Sequence, residues 1–151
     1  MKAAGHCVAL LGAALMAPQE AGAADVLATY SIQGDAIAEP LEGSRGNAVA
    51  GAALMADRQR SLCVLCHSGP FPNPHLQGTL APDLTGIGAR LSEGQIRLRI
   101  VDMKHLNPQS IMPAYYRLDA GERVAGAWRG KPVLQAGEIE DLVAYLVTLK
   151  D

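Results

Sequence analysis

The sequence predicts an all-α domain: three or more helices whose long loops wrap a bound group. Three observations point there. Apolar residues recur at helical spacing in separated stretches, and no stretch of any length alternates as a half-buried strand would. The segments between those stretches are too long, and too rich in proline and glycine, to be simple connectors. Hydrophobic residues make up 49% of the 151 positions but aromatic residues only 4%, so the core is small or is filled by something other than side chains.

The length suits one domain with one core. A formal net charge of -2 and no basic stripe argue against nucleic acid as a partner, because phosphate binding needs clustered Lys and Arg. The first element is a leader. Residues 1–24 carry Lys2, an apolar run from Cys7 to Ala17 and small residues from Ala21 to Ala24, the pattern of a secretory signal peptide cleaved after Ala23 or Ala24. The apolar run is too short to span a bilayer and no other is longer, so the mature chain is expected in the periplasm without a membrane span. Cleavage removes Cys7. Only Cys63 and Cys66 then remain, in an oxidising compartment.

Residues 25–45 have no helical period and read as an irregular arm; residues 46–151 form the domain proper. Its first helix is capped by Asn47 and runs through "AVAGAALMADRQR", with Val49, Ala52, Ala53 and Ala56 on one face and small residues that let another helix cross closely. Then come "CVLCH" and the loop "SGPFPNPHLQGTLAPDLTGIGAR". Ser92 and Gln95 form a capping box for a second helix with Ile96, Ile100 and Val101 inward, ended by Asn107–Pro108. After a second long loop, Ile139, Leu142, Val143, Leu146 and Leu149 mark a last helix over Gly137–Lys150, with Lys150 suited to its negative end. Its opening, "LQAG", lacks a Ser or Thr cap and predicts a weak start.

The chemistry lies in Cys63, Cys66 and His67. Residues i and i+3 share a face of a helical turn, so both sulfurs reach the edge of one flat ligand while the imidazole projects beside them. That spacing fits two thioether bonds to haem vinyl groups, with His67 on the iron, and so predicts one covalent haem c. A thioredoxin-like dithiol would need an α/β setting that this chain lacks. A zinc site would need further ligands, for which only His75 and His105 offer themselves. For the sixth iron position the candidates are Met55, Met103, Met112, His75 and His105. Met112 is favoured: it precedes Pro113, which biases it out of helix and into an extended loop able to approach the opposite face. A thioether there favours ferrous iron and fills the place where oxygen would bind. A carbonyl near Pro82 is the expected partner of the other His67 nitrogen. Tyr115, Tyr116, Trp128, Arg90, Arg117 and Arg123 are candidates for the ring or its propionates.

The helix before CxxCH, the "PDLTGIG" loop, the methionine loop and the "EDLVAYLVTL" helix together resemble a class I cytochrome c. The stretches "LCVLCHSGPFP", "GARLSEGQIRLRIVD", "LNPQSIMPAYYR", "GKPVLQAGEIEDLVAYL" and "GDAIAEPL" resemble the SoxX family, the small cytochrome subunits of SoxAX complexes in thiosulfate oxidation. The likeness covers nearly all of the mature chain. It implies that Cys63 and Cys66 attach the haem, His67 is the proximal and Met112 the distal ligand. It implies a SoxA-like cytochrome partner holding the reactive centre, a transient SoxYZ-like carrier whose cysteine receives thiosulfate, and a downstream electron acceptor. On that view this chain accepts electrons and passes them on, in a complex acting as an L-cysteine S-thiosulfotransferase. A free-standing electron shuttle to a terminal oxidase is the alternative. A haem protein with an open sixth position, acting as a peroxidase or gas binder, is a third.

Overall fold

The computed structural model describes residues 27–119 and 124–151; the leader, residues 1–24, and Arg123 lie outside the described residues. These residues form four α-helices: α1 (Ala48–Ala56), α2 (Ile87–Arg90), α3 (Glu93–Leu106) and α4 (Ala136–Leu146). Three short 3-10 turns join them, and among the described residues strand pairing is limited to one isolated bridge, Gln33 with Ala36. The all-α class expected from the sequence is the class found.

Helix α1 starts as predicted, with Asn47 Oδ1 accepting from the Val49 and Ala50 N–H groups. Its buried face differs from the expected one. Gly51 and Met55 are buried, whereas Val49 is 80% exposed and Ala53 lies outside. The cause is a close crossing with α4: a Cβ on Gly51 would lie 1.9 Å from the Asp141 carbonyl oxygen, so the contact requires glycine. The helix also stops at Ala56, short of Arg60. Asp57 Oδ1 accepts from Gln59 and Arg60 N–H at 2.8 and 2.9 Å, offering the backbone an alternative to further helix.

Helix α3 has the predicted capping box, Ser92 N–H to Gln95 Oε1 at 2.9 Å and Gln95 N–H to Ser92 Oγ at 3.3 Å, and ends at Leu106 before the "NP" pair. It is not continuous, because the backbone departs from helical values at Asp102. Helix α4 buries Ile139, Leu142, Val143 and Leu146 at the expected spacing. It ends at Leu146, and the Lys150 ammonium donates to Gly88 O at 2.7 Å, where Gly88 packs against Val147 at the α4 C-terminus. The α4 start is firmer than the sequence suggested: Glu138 reaches back to the Gln135 N–H at 2.7 Å and also accepts from Arg60 Nε at 2.9 Å.

At the centre, Arg97 and Glu140 pair inside the core, 1% and 3% exposed. Arg97 also donates to Ile37 O at 2.7 Å, and Leu41 N–H donates to Glu140 Oε1 at 3.0 Å. One ion pair thus binds the arm, α3 and α4 together. Neither residue was singled out from the sequence, since a charge amid helical apolar spacing reads as solvated.

Candidate haem site

The chain enters the site through a sharp turn. Leu62 adopts a left-handed conformation (φ 63°), and Cys63–Leu65 then forms a single 3-10 turn. Cys66 N–H and His67 N–H both bond to Cys63 O, at 3.1 and 2.9 Å, which gathers the three residues into one turn. Cys63 and Cys66 are free thiols, both half-buried. Burial pushes the Cys63 thiol above its ordinary value.

The loop after His67 folds back onto this turn. Gly78 N–H bonds to Val64 O, Ala81 N–H to Cys66 O and Leu84 N–H to Ser68 O, each at 2.9 Å. The approach at Gly78 is so close that a Cβ there would lie 2.0 Å from Leu65 O. This fold-back brings Pro82 O to 2.7 Å from His67 Nδ1, the partner expected from the sequence. A carbonyl can only accept, so Nδ1 carries the proton and Nε2 keeps its lone pair for a metal. Asp83, next in the chain, is held down to about 2 by the Ser68 hydroxyl and the Thr85 side chain and N–H.

Cys63 and His67 open onto a cleft of about 670 Å³. Leu80, Leu84, Ile87 and Leu91 line it, together with Ile96, Ile100, Met103, Leu142 and Leu146 from α3 and α4. Met112 and Tyr115 complete the wall from the second long loop.

No protein-family model matches the chain, and no curated protein matches it. Among solved structures it is similar to the crystal structure of SoxXA from P. pantotrophus, with a TM-score of 0.73 and 35% sequence identity. The match covers 81% of this chain and 95% of the matched chain. The chain belongs to the SoxXA cytochrome family.

A SoxXA-type cytochrome carries c-type haem, and the residues present fit that group. Two unpaired thiols and one imidazole with a free Nε2 stand on a single turn, beside an apolar cleft of ligand-binding size. The structure brings Cys63, His67 and Met112 to one cleft, with Cys66 on the same turn. It also places Met55 and Met103 on that cleft, whereas His75 and His105 are exposed and do not line it. Met55 is 1% exposed and packed in the core.

The expected aromatic and arginine partners divide. Tyr115 lines the cleft, but its hydroxyl donates to Ser61 O at 2.7 Å and burial raises its pKa. The Tyr116 hydroxyl accepts from Ala28 N–H at 2.9 Å, away from the cleft. Trp128 is half-exposed in a separate groove with Arg117, whose guanidinium is engaged by Asp102 and Asp119. Arg90 does line the cleft, tied to Thr85 O at 2.5 Å. Sequence reasoning missed Leu80 and Ile111, exposed aliphatics at the cleft, because isolated loop leucines and isoleucines carry no periodic signal.

Proposed function

We propose that this chain is a mono-haem c electron-transfer subunit of a periplasmic, thiosulfate-oxidising SoxAX-type complex. The observation that carries this reading is the pairing of His67 Nδ1 with Pro82 O beside Cys63 and an apolar cleft that Met112 also lines. Cys63 and Cys66 would hold the haem by thioether bonds, with His67 and Met112 as the residues that would ligate its iron. When bound, the haem supplies a one-electron ferric–ferrous couple. The protein's own residues do the rest. The Pro82 carbonyl fixes the imidazole plane and its tautomer. The aliphatic walls exclude water, and a Met112 thioether on the iron would favour the reduced state and leave no place for oxygen to bind.

With both thiols consumed, no described cysteine is left to act as a nucleophile. The reactive centre is therefore assigned to a SoxA-like haem partner, in keeping with the SoxXA complex of the related structure. A SoxYZ-like carrier meets the complex transiently, and a downstream acceptor takes the electrons. Residues 1–24 direct export and are removed. No described helix is long and apolar enough to cross a membrane.

Gentle purification from the host periplasm, followed by a denaturing gel stained for haem, tests this. A haem band at the mature size together with a larger one is expected. A single small haem band would move the function to a free electron shuttle, and no haem at that size would overturn the assignment.

A further inference from the structure

Met112 stands in a stretch that no helix holds; its own N–H donates to Ser110 Oγ at 3.2 Å, and three further contacts of the loop trace to one residue of α3. At Asp102 the backbone leaves the helix, with φ -158° and ψ 89°. The Lys104 N–H, which an unbroken helix would send to Ile100 O, donates to Asp102 Oδ1 at 3.0 Å. Ile100 O and Val101 O accept instead from Tyr115 and Tyr116 N–H, at 3.2 and 3.3 Å. Three residues after Met112, the loop is thus stitched to α3 through the opening that Asp102 makes.

The other oxygen of the same carboxylate closes the arrangement. Asp102 Oδ2 accepts from Arg117 Nη1 at 3.1 Å, and Arg117 lies five residues beyond Met112. Capping the last turn of α3 would need only Oδ1, so the Oδ2 contact is an addition. The Asp102 side chain is 14% exposed, against 70% for Asp119 on the outer side of the same guanidinium. The inner pair is therefore less screened by water and salt than the outer one.

We infer that Asp102 is the positioning residue of the Met112 loop: it interrupts α3 so that the loop can dock, and its pair with Arg117 keeps Met112 in the cleft. The inference rests on Met112 being the distal iron ligand. A loosened loop leaves the sixth position open for a larger fraction of the time, and an added ligand binds more tightly in proportion.

The test uses the haem-loaded ferric protein, the thioether-to-iron charge-transfer band, and titration with imidazole as the competing ligand. The wild type shows the band and Met112→Ala abolishes it. Asp102→Asn and Arg117→Gln each raise the apparent imidazole affinity, by up to about tenfold for a shielded pair, and the double variant does no more than either alone. Asp119→Asn stays within about twofold of wild type, as an exposed partner should. Should Asp102→Asn not hold haem, Arg117→Gln carries the comparison, since it alters the more exposed partner. Wild-type imidazole affinity in both variants, with the band intact, overturns the inference. A wild type without the band, or a Met112→Ala variant that keeps it, overturns the ligand assignment on which the inference stands.

Discussion

Glu140 accepts two hydrogen bonds from Arg97, at 2.7 and 2.8 Å, across the contact between α3 and α4. Both side chains are buried, and each also bonds to backbone groups of the arm. Such a pair fixes which segments meet more than it adds net stability, because desolvation offsets most of the attraction.

Removing one member should therefore cost more than removing both. Glu140→Leu leaves Arg97 charged and unpartnered in the core, and is expected to lower unfolding stability by about 3–5 kcal/mol in chemical denaturation of the haem-loaded protein. The double variant Arg97→Met/Glu140→Leu should recover most of that loss. Equal losses in both would show that packing, and not the buried charge, dominates.

The glycine contact between α1 and α4 makes a second prediction. Gly51→Ala puts a methyl group against the Asp141 backbone, and should destabilise by about 1–3 kcal/mol through overpacking. Val49→Ala, on the exposed side of the same helix, should change stability by less than about 0.5 kcal/mol. Thermal melts of the two variants decide whether the α1 face described here is the buried one.

Tyr115→Phe keeps the ring against the cleft but leaves Ser61 O with only the Cys63 Sγ contact at 3.6 Å, which a thioether at Cys63 could not donate. A loss of about 1–3 kcal/mol is expected for a buried, unsatisfied carbonyl. Because Ser61 lies two residues before Cys63, the ferric spectrum should also shift. An unchanged melting temperature would mean that water replaces the hydroxyl.

The Asp83 carboxyl offers a pH test. Its folded value, about 2, lies below the ordinary value of about 3.9. A depressed carboxyl contributes stability that is present above the unfolded value and is lost as pH falls toward the folded one. The contribution should fade between about pH 4 and pH 2. Ser68→Ala, which removes the leading cause, should move the Asp83 titration upward when followed by carboxyl NMR. No movement would assign the depression to the Thr85 contacts.

How far the sequence reaches can be judged at particular residues. Local signals sufficed where a few neighbours decide the outcome. The Asn47 cap, the Ser92–Gln95 box, the stop before Asn107–Pro108 and the α4 apolar face all depend on residues within a turn or two. So does the gathering of Cys63, Cys66 and His67 on one turn, which spacing alone implies. Even the Pro82 carbonyl is within reach of the sequence, as a backbone acceptor in the "APDLTG" turn of the loop that follows CxxCH.

Only the tertiary structure decided the rest, and each case joins parts of the chain far apart in sequence. The buried face of α1 is not legible locally, because Gly51 gains its value from Asp141. The start of α4 reads as weak in the sequence because Arg60, which supports Glu138, comes from another segment. Arg97 and Glu140 look like surface charges until folding encloses them together. Asp102 looks like one more residue of a continuous helix until Arg117 and the tyrosine N–H groups arrive. The sequence by itself determined the helices, their local caps and the cysteine–histidine turn, since these arise from backbone geometry and near neighbours. Which faces are buried and what seats the Met112 loop depend on long-range partners, whose identity no local pattern encodes.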